Sequence, residues 1–447
     1  MVASGRRKLF ALMSSLVTLI VPRQTLANAF DVVGVGPESI AEVSTKVASA
    51  EDGSAAFLNP GGLAFGSSSS LVIAPTFAVS TLEAQDKPIT NHDSLGITLT
   101  AAATVPFEGP LAQRLHIGFS GYFLPSAALR LVARAPDEPF YPYYDNRTQR
   151  LVAIPALGIR ISKWLGVGLG ANVLAGVQGP AKLEKGASGS PEPRIDIAAN
   201  TVLSAIFGVR IDPSEQVHFG LVVRQSFGIP LNIETTADVG GIPLATTLLA
   251  RQMMFDPLTI VLASRIRHGK FAIESNISYA RWSNWEGPYM SVQSTLPGVN
   301  LVSRLPSGLF RDTMSFRLGS NYTLDTGVNK KFILRGGVAF EPSMMSGVLQ
   351  GRTNLVDGHK FTVGAGATFV LQNWIGKALL VGIGGNSQFV SAFNQEKRVC
   401  AAVPCAENTV VGPDADNPSA GITNPGYPRL QASGAWIGLS LGVGVEF

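Results

Sequence analysis

The stretch WIGLSLGVGVEF, residues 436–447 at the end of the chain, carries the signal that decides the fold. Large apolar side chains occupy every second position, and most positions between them hold small or polar residues. Because successive side chains of a strand point to opposite faces, this alternation predicts a β-strand with one wholly apolar face. The apolar positions are Ile437, Leu439, Leu441, Val443, Val445 and Phe447.

The same alternation recurs and predicts an all-β fold, a transmembrane antiparallel β-barrel of about fourteen strands over residues 67–447. In such a barrel the apolar face meets lipid and the small or polar face meets the lumen. A soluble sandwich also alternates, but its core needs larger residues than the many glycines found here. The predicted strands lie near 69–82, 94–107, 113–124, 149–161, 164–178, 193–210, 215–226, 255–267, 270–282, 311–324, 330–341, 358–372, 374–392 and 431–447.

The connections alternate between short turns and long segments, which is typical of membrane barrels with short periplasmic turns and long outer loops. The short turns are Ile211–Ser214, Arg267–Lys270, Asp325–Lys330 and Gln372–Asn373. The long segments are 125–148, 179–192, 227–254, 283–310, 342–357 and 393–430. We therefore expect both chain ends on the periplasmic side and the long segments outside the cell.

Residues 1–27 have the pattern of a secretory signal peptide, with a charged start followed by an apolar stretch too short to span a bilayer. Cleavage after Ala27 or Ala29 is expected. The segment holds four cations and no acid, so the formal net charge of +4 falls to about zero without it. A nucleic-acid partner is therefore not expected, because such proteins keep an excess of cations.

Residues 28–66 are too polar for a lipid-facing strand and long enough to fold inside the barrel as a hatch. A periplasmic tail is the alternative. The two cysteines, Cys400 and Cys405, lie in a Pro/Asn/Asp-rich loop and are expected to form a disulfide in an exported protein. No cofactor and no metal site are predicted, because the five histidines are scattered without a ligand spacing.

The long segment that ends at Phe255 is unusually apolar for an outer loop. An exposed apolar patch marks a binding site, and methionine adapts to flexible ligands. A loop helix packed on the barrel rim is the alternative. The candidate ligand-binding residues are Leu244, Leu248, Leu249, Met253, Met254 and Phe255.

Several short motifs, taken in their order along the chain, resemble those of the FadL-type family of outer-membrane long-chain fatty acid and hydrocarbon transporters. The stretch from Ala50 to Pro60 resembles the hatch signature of that family, an acidic pair followed by Asn-Pro-Ala, with Gly61 in place of the alanine. The remaining motifs are Tyr279–Trp285, Asp312–Thr313, Phe316–Gly319, Glu341–Pro342 and Asp357–Lys360.

The resemblance implies a monomeric barrel in the bacterial outer membrane, closed by an N-terminal hatch. A hydrophobic ligand would bind an outer groove, then an inner pocket, and leave through a gap in the wall when the hatch moves. Outer-membrane lipid, lipopolysaccharide and the barrel assembly machinery are the further partners expected. The predicted hatch residues are Glu51, Asp52, Asn59, Pro60 and Gly61.

Three other functions remain as alternatives to passive transport of an apolar molecule. A general porin for polar solutes would lack a hatch and an apolar outer loop. A barrel enzyme would need clustered catalytic side chains, and the G-x-S-x-G match at Gly438–Gly442 lies within the last strand, where no helix can follow. An adhesin or structural barrel would carry no flux. We expect a transporter and not an enzyme.

Overall fold

The computed structural model describes most of the chain beyond the predicted signal peptide, which lies outside the described residues together with Cys400 and Cys405. The described residues are 29–85, 87–89, 94–106, 108–109, 113–125, 139, 141–144, 151–185, 191–195, 198–239, 242–285, 287, 290–294, 300–302, 309–345, 349–350, 354–398 and 429–447.

Fourteen strands form the wall of the barrel, which confirms the predicted fold class. Each strand pairs antiparallel with the next along the chain. Numbered β1 to β14 in chain order, they are Ser70–Ser80, Ser94–Thr104, Leu115–Phe123, Val152–Arg160, Leu165–Lys185, Ala198–Ile211, Val217–Arg224, Thr259–His268, Phe271–Ala280, Thr313–Gly327, Lys330–Glu341, Lys360–Trp374, Lys377–Arg398 and Arg429–Glu446.

The ring closes where β1 pairs with β14. Ser70 lies opposite Glu446 at one end of this pairing, and Ser80 lies opposite Trp436 at the other. Beyond the last rung, Ser69 and Phe447 exchange two backbone hydrogen bonds of 3.0 and 2.9 Å. Closure leaves no unpaired strand edge, which a wall surrounded by lipid requires.

The outer face of the wall is apolar, as the alternation predicts. In β14, Ile437 and Leu441 are exposed, whereas Ser440 between them points inward and is fully buried. Trp164, Trp374 and Tyr322 are exposed near the short turns, where an aromatic girdle is expected at the membrane surface.

Short and long connections lie at opposite ends of the barrel, because every strand reverses the direction of the one before it. The predicted long segment 227–254 is not irregular: Phe227–Val239 and Ile242–Asp256 form an antiparallel hairpin. A helix at this position, the alternative raised by the sequence, is therefore wrong. The other short strands are Glu83–Ala84, Lys87–Pro88, Pro191–Ile195, Met290–Ser294, Asn300–Val302 and Leu349–Gln350.

Helical structure is short, and most of it lies before the first strand. Within the described part of the chain, no helix is long and apolar enough to cross a membrane. The α-helices are Phe30–Val33, Gly36–Ala41 and Ala55–Leu58, and the 3₁₀ helices named here are Pro60–Phe65 and Trp282–Asn284.

Candidate functional site

Residues 29–66, called here the N-terminal segment, lie inside the barrel. Glu51 is the one exposed residue of this segment. The backbone and side chains of the segment contact glycines that face the lumen from many strands around the ring. A Cβ added at Gly168 would collide with the backbone of Pro60, and one added at Gly384 would collide with that of Pro37. The small residues opposite the lipid face thus leave room for this segment.

Asn59 fixes the turn that begins the 3₁₀ helix Pro60–Phe65. Its side-chain amide donates to the carbonyl oxygen of Val47 at 2.9 Å and to that of Val209 in β6 at 3.0 Å. Its Oδ1 atom accepts from the backbone N–H of Gly61 at 3.0 Å. The backbone of Asn59 is extended, with φ of −164°, as expected for a residue before proline. One fully buried side chain therefore joins two parts of the segment to the wall.

Arg335 of β11 forms ion pairs with two carboxylates of the N-terminal segment. Its guanidinium lies 2.7 Å from Glu38 and 2.5 Å from Glu42. Lys46 lies 2.5 Å from Glu38 on the other side. Burial would raise the pKa of Glu38, but Arg335 and Lys46 outweigh it and hold that pKa below its ordinary value. Glu38 is therefore a carboxylate at neutral pH.

Glu51 and Asp52, the predicted acidic pair, have different partners. Glu51 lies 2.8 Å from Arg210 of β6, whose guanidinium also lies 2.9 Å from Asp212. Asp52 stays within the segment, where it accepts a hydrogen bond of 2.8 Å from the backbone N–H of Ser54. Among the residues that the structure describes, Glu51 is therefore the member of the pair that binds the wall.

A further attachment is made by Glu274 of β9. Its carboxylate accepts from the backbone N–H of Ala48 and from the hydroxyl of Ser49, both at 2.6 Å. Sequence reasoning missed Glu274, Arg210 and Arg335. The sequence did carry a signal for them, namely a charged residue at a lumen-facing position of a strand. A polar segment inside the barrel needs charged partners on the wall.

A cavity lies between the N-terminal segment and the long connections. Its lining includes Asp31, Ser44, Val47, Phe57 and Leu58 from the segment, Arg224, Val261, Asn276, Ser278, Thr313, Ser315, Arg317 and Glu341 from the wall, and Tyr143 and Trp282 from the long connections.

Three buried tyrosines of the described stretch 141–144 form a roof at the long-loop end. Tyr141 donates to the carbonyl of Ser433 at 3.1 Å, Tyr143 donates to Glu341 at 3.0 Å, and Tyr144 donates to Gln388. Burial raises the pKa of Tyr144 well above its ordinary value, so its hydroxyl remains a neutral donor.

The roof is joined to the motif Asp357–Lys360. The ammonium of Lys360 lies 2.7 Å from the Asp357 carboxylate and 4.2 Å from the centre of the Tyr143 ring. Asp357 also accepts from the backbone N–H of Met344 at 2.8 Å. Lys360 and Asp357 are both fully buried as side chains, so their mutual pairing offsets the cost of removing two charges from water.

Phe255 is the predicted ligand-binding residue whose side chain the structure describes. It is buried, with its ring centre 5.7 Å from those of Trp282 and Trp285, and Trp285 stacks on Phe310 at 4.4 Å. The two tryptophans of the motif Tyr279–Trp285 thus join an aromatic cluster beside the cavity. The side chains outside the described set are those of Leu244, Leu248, Leu249, Met253 and Met254, all on the strand Ile242–Asp256.

These features define a transmembrane β-barrel whose lumen holds its own N-terminal segment, with a cavity between that segment and an aromatic roof. Alkane uptake protein A of Marinobacter nauticus is 27% identical over 228 residues. The match covers 45% of this chain and 47% of that protein, about half of the relative's length. No protein-family model matches the chain.

Solved structures resemble nearly the whole chain. A FadL homologue of Pseudomonas aeruginosa superposes with a TM-score of 0.55 at 13% identity, over 95% of this chain and 99% of that one. The toluene transporter TbuX of Ralstonia pickettii gives 0.54 at 14% identity, over 94% and 100%. The chain therefore has the FadL-type fold, which confirms the resemblance seen in its sequence motifs.

Proposed function

We propose that the protein is an outer-membrane channel for passive uptake of hydrophobic small molecules, with the N-terminal segment as its gate. The observation that carries this proposal is the position of the segment between the internal cavity and the short-turn end of the barrel. In this proposal the short turns face the periplasm, so the segment separates a molecule in the cavity from that side. Transport and not catalysis is the activity proposed.

The way in which the segment is attached to the wall would allow it to move as a gate. Side chains of Arg335, Arg210, Glu274 and Asn59 hold it, whereas the wall is held by backbone hydrogen bonds between strands. Because the two sets of bonds are separate, the segment can shift while the ring stays closed. A general porin needs an open aqueous lumen, and the N-terminal segment occupies that space.

The ligand class follows from the cavity and from the relatives. The aromatic roof and Phe57 offer apolar surface, and the similar proteins are named for alkane and toluene transport. We infer that hydrocarbons or long-chain fatty acids are carried. The apolar residues of Ile242–Asp256 are proposed as the first contact on the outside, with lipopolysaccharide around the rim and the barrel acting as a monomer.

Deletion of residues 30–62 tests the proposal. The shortened chain, inserted in planar bilayers, should give a steady open conductance, whereas the full chain should stay closed. Cells that make the full chain should take up labelled hexadecane or toluene faster than cells without it. A deletion that stays silent, together with unchanged uptake of every apolar substrate, would leave the gate without support.

A further inference from the structure

Two neighbouring short turns carry large aliphatic side chains at their tips. Val328 lies between β10 and β11 and is 89% exposed, and Ile375 lies between β12 and β13 and is 81% exposed. The backbone N–H of Gln372 donates to the carbonyl oxygen of Asn329 at 2.8 Å, which places the two turns side by side. Removal of apolar surface from water is favourable, so two such side chains at one place indicate a covering partner outside the chain.

Ile375 is an unusual residue for the conformation that it adopts. Trp374 pairs with Lys377, which leaves a loop of two residues with positive φ at both, 51° for Ile375 and 74° for Gly376. Such loops favour Asn-Gly or Asp-Gly, because a β-branched side chain is strained at positive φ. Neither the turn nor packing inside the protein explains an isoleucine here. A contact of its side chain with a partner outside the chain would explain it.

Two lysines point outward beside these tips. Lys330 lies on the outer face of β11, which it shares with the exposed residues Leu334 and Val338. Lys377 begins β13, and its ammonium group lies 4.8 Å from the centre of the Phe447 ring, on the outer side of the wall. Among the residues that the structure describes, neither lysine forms an ion pair with a carboxylate. Both ammonium groups are therefore open to an anion from outside the protein.

Two acidic residues close to these turns face the lumen instead. Asp325 is held by Lys270 at 2.8 Å, and Lys270 lines a cavity inside the barrel. Glu446 lines the same cavity, as expected from its alternation with the outward Val445 and Phe447. The outer surface at this place therefore combines aliphatic tips with cations that no carboxylate of the described chain neutralises.

This combination fits the headgroup layer of a phospholipid membrane. Trp374 is 42% exposed, belongs to the aromatic girdle expected at the membrane surface, and is the cross-strand neighbour of Lys377. The tips follow directly on this girdle, so they continue the lipid-facing wall. Lysine extends its charged end toward the phosphates while its carbon chain stays against apolar surface. A cation is stabilised near an anionic membrane surface, which favours anionic over zwitterionic phospholipids.

We propose that the outer surface of these turns is a docking surface for anionic phospholipids, called here the rim patch. Its members are Val328, Lys330, Trp374, Ile375 and Lys377. The two lysines each pair with a headgroup phosphate, and the aliphatic tips lie within the headgroup layer. In the orientation proposed above, this layer belongs to the periplasmic leaflet of the outer membrane. The rim patch does not depend on the molecule that the channel carries.

The test measures quenching of Trp374 fluorescence by brominated lipids in vesicles that hold the full-length protein. The vesicles are phosphatidylcholine with either brominated phosphatidylglycerol or brominated phosphatidylcholine at equal mole fraction, so the difference between the two reports headgroup preference. Trp164→Phe is the common background, because Trp164 and Trp374 are exposed and the other three tryptophans are buried. Both leaflets have the same composition, so the direction of insertion does not matter.

Lys377→Gln and Lys330→Gln each remove one cation of the rim patch. Lys270→Gln is the matched control, since it removes the same charge at the same end of the barrel from the lumen side. Ile375→Asn replaces the strained residue by one that suits the turn. It should therefore keep or raise the temperature at which the barrel unfolds, while it lowers the quenching of Trp374 by both lipids.

We expect phosphatidylglycerol to be preferred beside Trp374 by about fivefold at low salt, the contribution of one lysine near an anionic surface. Lys377→Gln should bring this preference close to one, and Lys330→Gln should lower it less, because Lys377 is the direct neighbour of Trp374. The Lys270→Gln control should leave it unchanged, and added salt should weaken it.

Equal quenching by the two lipids before any lysine is changed would overturn the rim patch as a lipid site and would favour a protein partner. A loss of preference in Lys270→Gln as large as that in Lys377→Gln would overturn it as well, because the effect would then belong to the overall charge. A loss of heat stability in Ile375→Asn would make Ile375 a packing residue and exclude it from the rim patch.

Discussion

The guanidinium of Arg335 lies 2.7 Å from the carboxylate of Glu38, so a strand of the barrel wall and a helix inside the lumen share a buried ion pair. Glu42 accepts from the same guanidinium and is 1% exposed as a side chain. Removal of one partner of a buried pair costs about 3–5 kcal/mol, because the remaining charge is left in a poor solvent. We therefore expect a substitution at Arg335 to weaken the attachment of the N-terminal segment more than a substitution at the other attachment points.

We predict that Arg335→Gln loosens the N-terminal segment without unfolding the wall. The variant should show frequent conductance steps in planar bilayers and should keep its heat-modifiable mobility. Lys270→Gln is the control, because Lys270 pairs with Asp325 at 2.8 Å on the exposed surface, where such pairs contribute little. A variant as quiet as wild type would show that Arg335 does not hold the gate.

The attachment through Glu38 should depend on pH in a defined direction. The pKa of Glu38 is lowered below its ordinary 4.5, so its stabilising contribution is complete above pH 4.5 and is lost as the pH falls through the folded value. Burial would lower the pKa of Lys46, but Glu38 and Asp52 raise it above 10.5, so its contribution is complete below that pH. Amide exchange of residues 36–46, corrected for intrinsic rates, should therefore show constant protection between these limits and a loss of protection in acid. Loss of protection near neutral pH would contradict this assignment.

Asn59→Ala should weaken the turn that precedes Pro60. The change removes the hydrogen bonds that the Asn59 amide donates to the carbonyl oxygens of Val47 and Val209, and each such bond contributes about 0.5–1.5 kcal/mol. We expect a folded barrel with leakage of ions or slower uptake of a hydrophobic substrate. Asn386→Ala is the control on the lumen side of the wall. Equal ion leakage and equal uptake in the two variants would show that Asn59 has no role in gating.

Phe447 should matter for assembly more than for the finished wall. Phe447 completes the ring by backbone bonds to Ser69, which Phe447→Ala keeps, while its side chain is 61% exposed. We expect Phe447→Ala to lower the amount of folded barrel in the outer membrane more than total synthesis. Phe389→Ala, at a lipid-facing position of β13 that is 52% exposed, should have a much smaller effect. Equal yields of the two variants would argue against recognition of the Phe447 side chain during assembly.

The side of the membrane that each loop faces can be tested with tags. Val328 lies in a short turn and is 89% exposed, and residue 410 lies in a predicted outer loop. On intact cells, a tag at residue 410 should be labelled and a tag at residue 328 should not. The reverse pattern would invert the proposed direction of transport.

Much of the fold followed from local pattern. The alternation seen in residues 436–447 sets which face of a strand meets lipid, since a strand has a repeat of two residues. Repetition of this pattern predicted fourteen strands close to their observed bounds, and Asn59-Pro60 predicted an extended residue before a turn. The hairpin Phe227–Asp256 was missed because its strands lack the clean alternation of the wall and were interpreted as a loop.

What the sequence by itself determined was the barrel, its lipid face and the presence of a polar segment before it, because these depend on residues close together in the chain. Only the tertiary structure decided which wall residues meet that segment. Glu38 and Arg335 are separated by 297 positions along the chain, and Asn276 and Arg224 line one cavity from separate strands. Such pairings depend on how the ring closes around the segment, and no local repeat in the sequence specifies them.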